Sequence, residues 1–352
     1  MAHEPVSARA VGPRDSAART RRGKALLLVA LIGSGSGMAV LASAYLAPGA
    51  VPGLPEPGPG VRYGLPAVRT ALNIAALLTV GLSVLPRLLG PGNPRRSAAV
   101  LARADRAAVI TSAVWLLCAL LALVLQAAEL HPGRTATTGM LTDYATGVPA
   151  GTALLAVAGC AAVSAVLGVL AARGASTVPA GLRTAIALLG LLPLPLTGHA
   201  GDWRFHDIAM ISVEVHVLAA AVWTGGLAAL TLFAAPARGL LAEAVPRFSA
   251  LATAAILVVA VSGAFNGLVQ VLTGPGGGFS ALLTTAYGQL VLAKLGCLAL
   301  LAGIAARMRY RLLPRIRRHQ RTALLGWAVL ETGVLGAAYG LGVVLARAPA
   351  LG

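Results

Sequence analysis

Residues 107–127 read AAVITSAVWLLCALLALVLQA, a run without a single charge. At about 1.5 Å of helical rise per residue it covers roughly 30 Å, the thickness of a bilayer's hydrocarbon core. Lipid offers backbone groups no hydrogen-bonding partner, so such a run crosses as a helix. Further apolar runs lie near 25–46, 67–89, 149–171, 181–198, 207–234, 250–272, 286–306 and 322–346. The gaps between them are short and rich in Gly, Pro and charge, as membrane loops are. The fold class is therefore an all-α polytopic membrane protein with nine transmembrane helices.

Composition narrows the function classes. Of 352 residues, 57% are hydrophobic and 11% are charged, whereas a soluble domain carries about 25% charged residues. A net charge of +17 would suit nucleic acid, but the basic residues sit in short blocks between the spans. With only 4% aromatic residues there is no stacking platform for bases, and nucleic acid is excluded as a partner. Cys118, Cys160 and Cys297 each stand alone in an apolar run. They read as small packing residues, not as a zinc or disulfide framework.

The distribution of Lys and Arg predicts the orientation, because cytoplasmic loops hold the excess. With the amino terminus in the cytoplasm, the inner segments hold 22 of the 28 basic residues, including Arg87, Arg95, Arg173, Arg183, Arg238, Arg247 and Arg307. Arg62, Arg69, Arg134, Arg204 and Arg347 fall outside, and Lys294 lies within a span. The carboxyl terminus is then extracytoplasmic. The expected organisation is a basic, disordered tail over 1–24, a five-helix segment over 25–198 and a four-helix segment over 199–350. Ala42-Ser43-Ala44 resembles a signal-peptide cleavage site, but the length of the first span and its three glycines argue that it is retained. No Walker A sequence is present, and loops of at most about 20 residues leave no room for an ATPase module. Gly274-Pro275-Gly276-Gly277-Gly278 has no strand before it and reads as a flexible loop.

Ionisable residues inside the spans are the informative ones, since each costs about 2.5–3.5 kcal/mol at a helix centre. Three stand out: Glu214, Lys294 and Glu331. Glu214 and Lys294 lie about 10–12 Å from the outer surface, with Glu331 roughly 6 Å deeper. Two readings stay open: an ion pair between Lys294 and a glutamate that holds helices together, or a polar path for a cation or proton. Histidines cluster at the outer side: His199 after span five, His206 in the connection and His216 about 13 Å down span six. His206 and Met210 share an i, i+4 spacing. Imidazole and thioether together suit copper, while packing or capping is the plainer role for any one of them. His216, Ala220, Trp223 and Leu227 fall along one helix face, and Gly225-Gly226 lets a neighbouring helix approach. Gly263/Gly267 and Gly336/Gly340 are small-residue pairs of the same kind.

From Gly198-His199-Ala200 onward the chain resembles the copper-resistance D (CopD/PcoD) family of bacterial inner-membrane proteins. The resemblance is carried by residues 215–227, VHVLAAAVWTGGL, then by Arg247-Phe248-Ser249, Ser262-Gly263, Thr285-Ala286-Tyr287-Gly288-Gln289-Leu290, Lys294 and Glu331. It covers 198 to about 346, while spans one to four match in hydropathy and position. It implies copper transport, uptake above all, serving copper homeostasis or resistance, with copper as bound or carried ion. It also implies a CopC-like extracytoplasmic copper-binding partner and a link to cytochrome oxidase assembly. Four methionines beyond Met1 are few for a thioether relay. On this reading the metal residues are His199, His216, His206 and Met210. Glu214, Trp223, Lys294 and Glu331 form the polar pathway or pair helices. No enzymatic activity is expected. The alternatives are a haem-binding membrane redox protein, ligated by His199 and His216, and a copper-delivery factor for a respiratory oxidase.

Overall fold

A computed structural model describes residues 13–46, 56–91, 94–134, 137–174, 178–197, 206–273, 278–312 and 324–347. Among these the regular structure is helical. In order the helices are α1 (Pro13–Tyr45), α2 (Pro59–Leu89), α3 (Pro94–Glu129), α4 (Thr138–Gly147), α5 (Pro149–Ala172) and α6 (Ala180–Leu189). They continue with α7 (His206–Ala229), α8 (Arg238–Thr273), α9 (Ala281–Thr284), α10 (Ala286–Arg307) and α11 (Leu324–Leu345). A 3₁₀ turn at Leu194–Thr197 follows α6, and π-helical turns extend α7 and α10. Nine helices among the described residues are long and apolar enough to cross a bilayer.

Several helices run past the apolar windows that mark them in sequence. α2 starts at Pro59, α3 at Pro94 and α8 at Arg238. Hydropathy reports where lipid begins, and a backbone helix has no reason to stop there. Proline at the first position of α2 and α5 suits a helix start, because the missing N–H has no intrahelical partner anyway. α1 begins at Pro13, within the segment expected to be a disordered tail.

α2 is the central helix. It packs against α1, α3, α6, α7, α8 and α11 and is buried along most of its length. Its polar side chains are satisfied locally, since Thr70 donates to the Pro66 carbonyl at 2.8 Å and Thr79 to that of Ala75 at 2.9 Å. At the crossing with α7, Gly81 lies directly on Gly225, and a Cβ on either would overlap the other helix's backbone. α1 packs on α11 by the same device: a Cβ on Gly336 would strike Leu31 and Ser34, and one on Gly340 would strike the Gly35 carbonyl. The Gly336/Gly340 pair is thus a helix contact, and the first described helix lies against the last.

The end of the bundle rich in basic residues is tied by arginines. Arg183 pairs with Asp105 at 2.8 Å, joining α6 to α3, and Thr184 donates to the Ser83 carbonyl at 3.1 Å. Arg247 donates to the carbonyls of Leu88 and Leu89 at 3.2 and 2.9 Å, groups the end of α2 leaves unpaired. Phe248 lies against Gly226, the neighbour of the crossing glycine. Arg247→Ala is expected to destabilise the fold by about 1–3 kcal/mol, the cost of orphaned buried carbonyls. A thermal melt of the detergent-solubilised protein measures this, and an unchanged midpoint would refute the capping role.

Candidate functional site

Between α2, α7, α8, α10 and α11, toward the end of the bundle opposite those arginines, lies a cavity of about 290 Å³. Most of its wall is apolar, built from Leu, Val and Ala. Its polar groups are Arg69 and Asn73 from α2, Thr197, His216 and Thr224 from α7, Asn266 from α8, Tyr287 and Lys294 from α10, and Tyr339 from α11. Trp223, only 3% exposed, completes the α7 wall.

His216 is the best-positioned donor. Its Nδ1 lies 3.0 Å from Ser262 Oγ, and Ser262 also bonds the Val258 carbonyl one turn back. The serine has one proton, and the carbonyl can only accept it. Ser262 Oγ therefore accepts from Nδ1–H, which puts the ring's lone pair on Nε2. Gly263 makes this seat possible, because a Cβ there would stand 3.0 Å from His216 Cε1. The Gly263/Gly267 pair divides its work: Gly263 admits the imidazole, and Gly267 meets Val291 of α10.

Thr224 and Tyr339 link α7 to α11 across the cavity. Thr224 donates to the Ala220 carbonyl at 2.7 Å, so the Tyr339 hydroxyl donates to Thr224 Oγ1 at 3.0 Å. On α10, Thr285 caps the helix by accepting from the Gly288 N–H at 3.0 Å. Gly288 lets α9 approach closely. The segment from Thr285 to Leu290 thus sets the register that carries Tyr287 and, two turns on, Lys294 to the wall.

The other candidates are placed as follows. His199 lies outside the described residues. Position 206 opens α7, with Met210 half-buried one turn on. Positions 206, 210, 213 and 217 follow one helical stripe, and Val213 and Val217 line the cavity. About 15 Å of rise separates 206 from 216, too far for one ion to be shared. Among the described residues no three His, Cys, Asp or Glu side chains converge as a metal site. Glu214 is half-buried on α7 and stands off the cavity wall. Glu331, 4% exposed, sits one helical turn beyond Leu335 on the α11 face that lines the cavity with Leu335, Ala338 and Gly342. Among the described residues neither glutamate pairs with Lys294.

Arg69 is the wall residue that the sequence reading missed. The Lys/Arg distribution puts it outside, at the edge of the 67–89 run, but α2 begins at Pro59 and carries it into the bundle. There it donates to both the carbonyl and the hydroxyl of Thr197. Nearby, Glu129 of α3 pairs with Arg347 just past α11, and Tyr144 of α4 donates to Gln126 at 2.6 Å. Burial pushes the Tyr144 phenol above its ordinary range. Asn73, Asn266 and Tyr339 escaped notice because neutral polar residues barely perturb hydropathy.

Residues 242–345 match the family model described as copper resistance protein D, and residues 60–204 match that for the copper resistance protein D-like N-terminal domain. The chain belongs to the copper-resistance D family. It is 32% identical over 146 residues to the copper transport protein CutJ of Bacillus subtilis, covering 40% of this chain and 26% of that protein. It is 34% identical over 113 residues to the inner membrane protein YebZ of Escherichia coli, covering 31% of this chain and 37% of that one. The matches thus span about a quarter and about a third of these relatives. No solved structure matches significantly. Copper-resistance D membership and nine apolar helices make this a multi-pass plasma-membrane protein with a copper-related role. The amino-terminal family match also extends the resemblance beyond the segment legible in sequence, which began at residue 198.

Proposed function

We propose that this chain carries copper inward across the plasma membrane, with His216 as the ligand that receives the ion inside the cavity. The observation that carries this reading is the imidazole itself. Its Nδ1 is engaged by Ser262, which leaves a lone pair on Nε2, and it lines a cavity in a member of the copper-resistance D family. The outer positions His199, His206 and Met210 serve as successive stations leading to His216; the α7 rise puts positions 206 and 210 about 15 and 9 Å from 216, too far for a single shell. An extracytoplasmic CopC-like protein would load them, and delivery toward oxidase assembly would lie downstream.

The amino terminus lies in the cytoplasm on this reading, which puts the cavity on the outer half and Glu331 inward of it. A buried carboxylate one turn below the floor is where a cation leaving the imidazole would next find negative charge. Trp223 and the Thr224–Tyr339 bond hold the wall between the two. Glu214 stays at the outer half of α7 as an attracting charge. In proteoliposomes that contain only this chain, copper is expected to accumulate well above the level in empty vesicles. Accumulation equal to that of empty vesicles refutes transport by the chain alone.

A further inference from the structure

The cavity that holds His216 has a charge balance unsuited to a bare cation. Among the described residues Arg69 and Lys294 line it, and no carboxylate does. Glu214 and Glu331 stand off the wall, and Glu129 is committed to Arg347. Arg69 places two of its N–H donors on Thr197. Lys294 is half-buried, and among the described residues it makes no ion pair. Its Nζ lies 3.2 Å from where a Cβ on Gly342 would stand, so the glycine leaves the ammonium its room. Lys294 and His216 line the same cavity.

A metal ion moving onto His216 would therefore approach fixed positive charge in a medium of low dielectric, where repulsion is weakly screened. A half-buried ammonium without an ion pair is costly in its own right. One species relieves both costs. We propose that copper occupies this cavity together with a small anion, the metal on His216 Nε2 and the anion against the Lys294 ammonium. This rests on the reading of His216 as the copper ligand and adds the chemical form of the cargo. A cuprous ion with one imidazole and one monovalent anion is a two-coordinate complex of zero net charge. It adds no charge to the cavity while supplying Lys294 with a counter-ion. A free halide and the carboxylate of a small chelator share this chemistry.

The test uses the full chain in nanodiscs with Cu(I) buffered to equal free concentration. Binding is compared in chloride, in acetate and in methanesulfonate, a non-coordinating anion, at one ionic strength. Affinity is expected to be about tenfold or more tighter with a coordinating anion than in methanesulfonate. Chloride above acetate points to a free halide, and acetate above chloride to a carboxylate; both support the proposal. The difference should vanish in Lys294→Gln and persist in Lys294→Arg. With bromide as heavy probe, X-ray absorption at the copper edge should show a halide beside nitrogen. That measurement needs only the unsubstituted protein, so it decides the matter even if the variants fail to fold. Equal affinity in all three salts with a nitrogen-only shell overturns the anion proposal and leaves His216 as a copper ligand. No copper binding in any salt overturns both.

Discussion

His216→Ala should lower copper affinity by more than about 100-fold and reduce accumulation in proteoliposomes correspondingly. Removing a supporting partner of a metal-bound histidine typically costs 10–100-fold, and removing the ligand itself should cost at least the upper end of that range. Ser262→Ala supplies the graded comparison. It frees Nδ1 without touching Nε2, so its loss should be on the order of tenfold. The fold should survive both changes. Ser262 keeps its bond to the Val258 carbonyl when the imidazole is gone, and the vacated volume opens into an existing cavity. A thermal midpoint near that of the unsubstituted protein, combined with lost binding, identifies His216 as a ligand. Unchanged copper affinity in His216→Ala would remove it from the mechanism.

Gly81→Val should prevent the bundle from assembling. α2 meets α7 at Gly81 and Gly225 with backbone against backbone, and a side chain at Gly81 has only a carbonyl group to displace. Overpacking against movable side chains costs about 1–3 kcal/mol, and against main chain the cost should exceed that range. α2 also touches five other helices, so tilting it to make room disturbs contacts throughout. The expected result is aggregated or proteolysed material, with no monodisperse peak on size exclusion in detergent. A folded Gly81→Val protein with a normal thermal midpoint would show that the crossing is not as tight as described. Gly33→Val, where a Cβ meets nothing within 4 Å, is the matched control and should be tolerated.

Much of the architecture was legible in the chain. Nine spans follow from runs such as 107–127, because uncharged length has one use in a bilayer. His216 was also legible, because an imidazole far down an apolar helix is costly unless something uses it. Gly336 and Gly340 were readable as a helix contact from their spacing. The partnerships were not. Gly81 belongs to no small-residue pair on its own helix, and its counterpart Gly225 lies far along the chain. Arg247 counted as one more basic residue in an inner loop, yet it closes the end of α2. Arg69 sits at the outer edge of the 67–89 run and reads as an outside charge, because hydropathy marks the edge of lipid and not the start of a helix.

Local chemistry therefore settled which segments cross the membrane and which of their residues are too costly to be incidental. Those properties depend on each segment's own transfer from water to lipid. The packing of α1 on α11, the absence of a Lys294–glutamate pair and the meeting of Arg69, His216 and Lys294 around one cavity were decided only by tertiary structure. They depend on which face of each helix turns toward which neighbour, and hydropathy is nearly blind to that. In lipid an apolar helix gains little by burying one face over another, so small residues and scattered polar contacts set the arrangement.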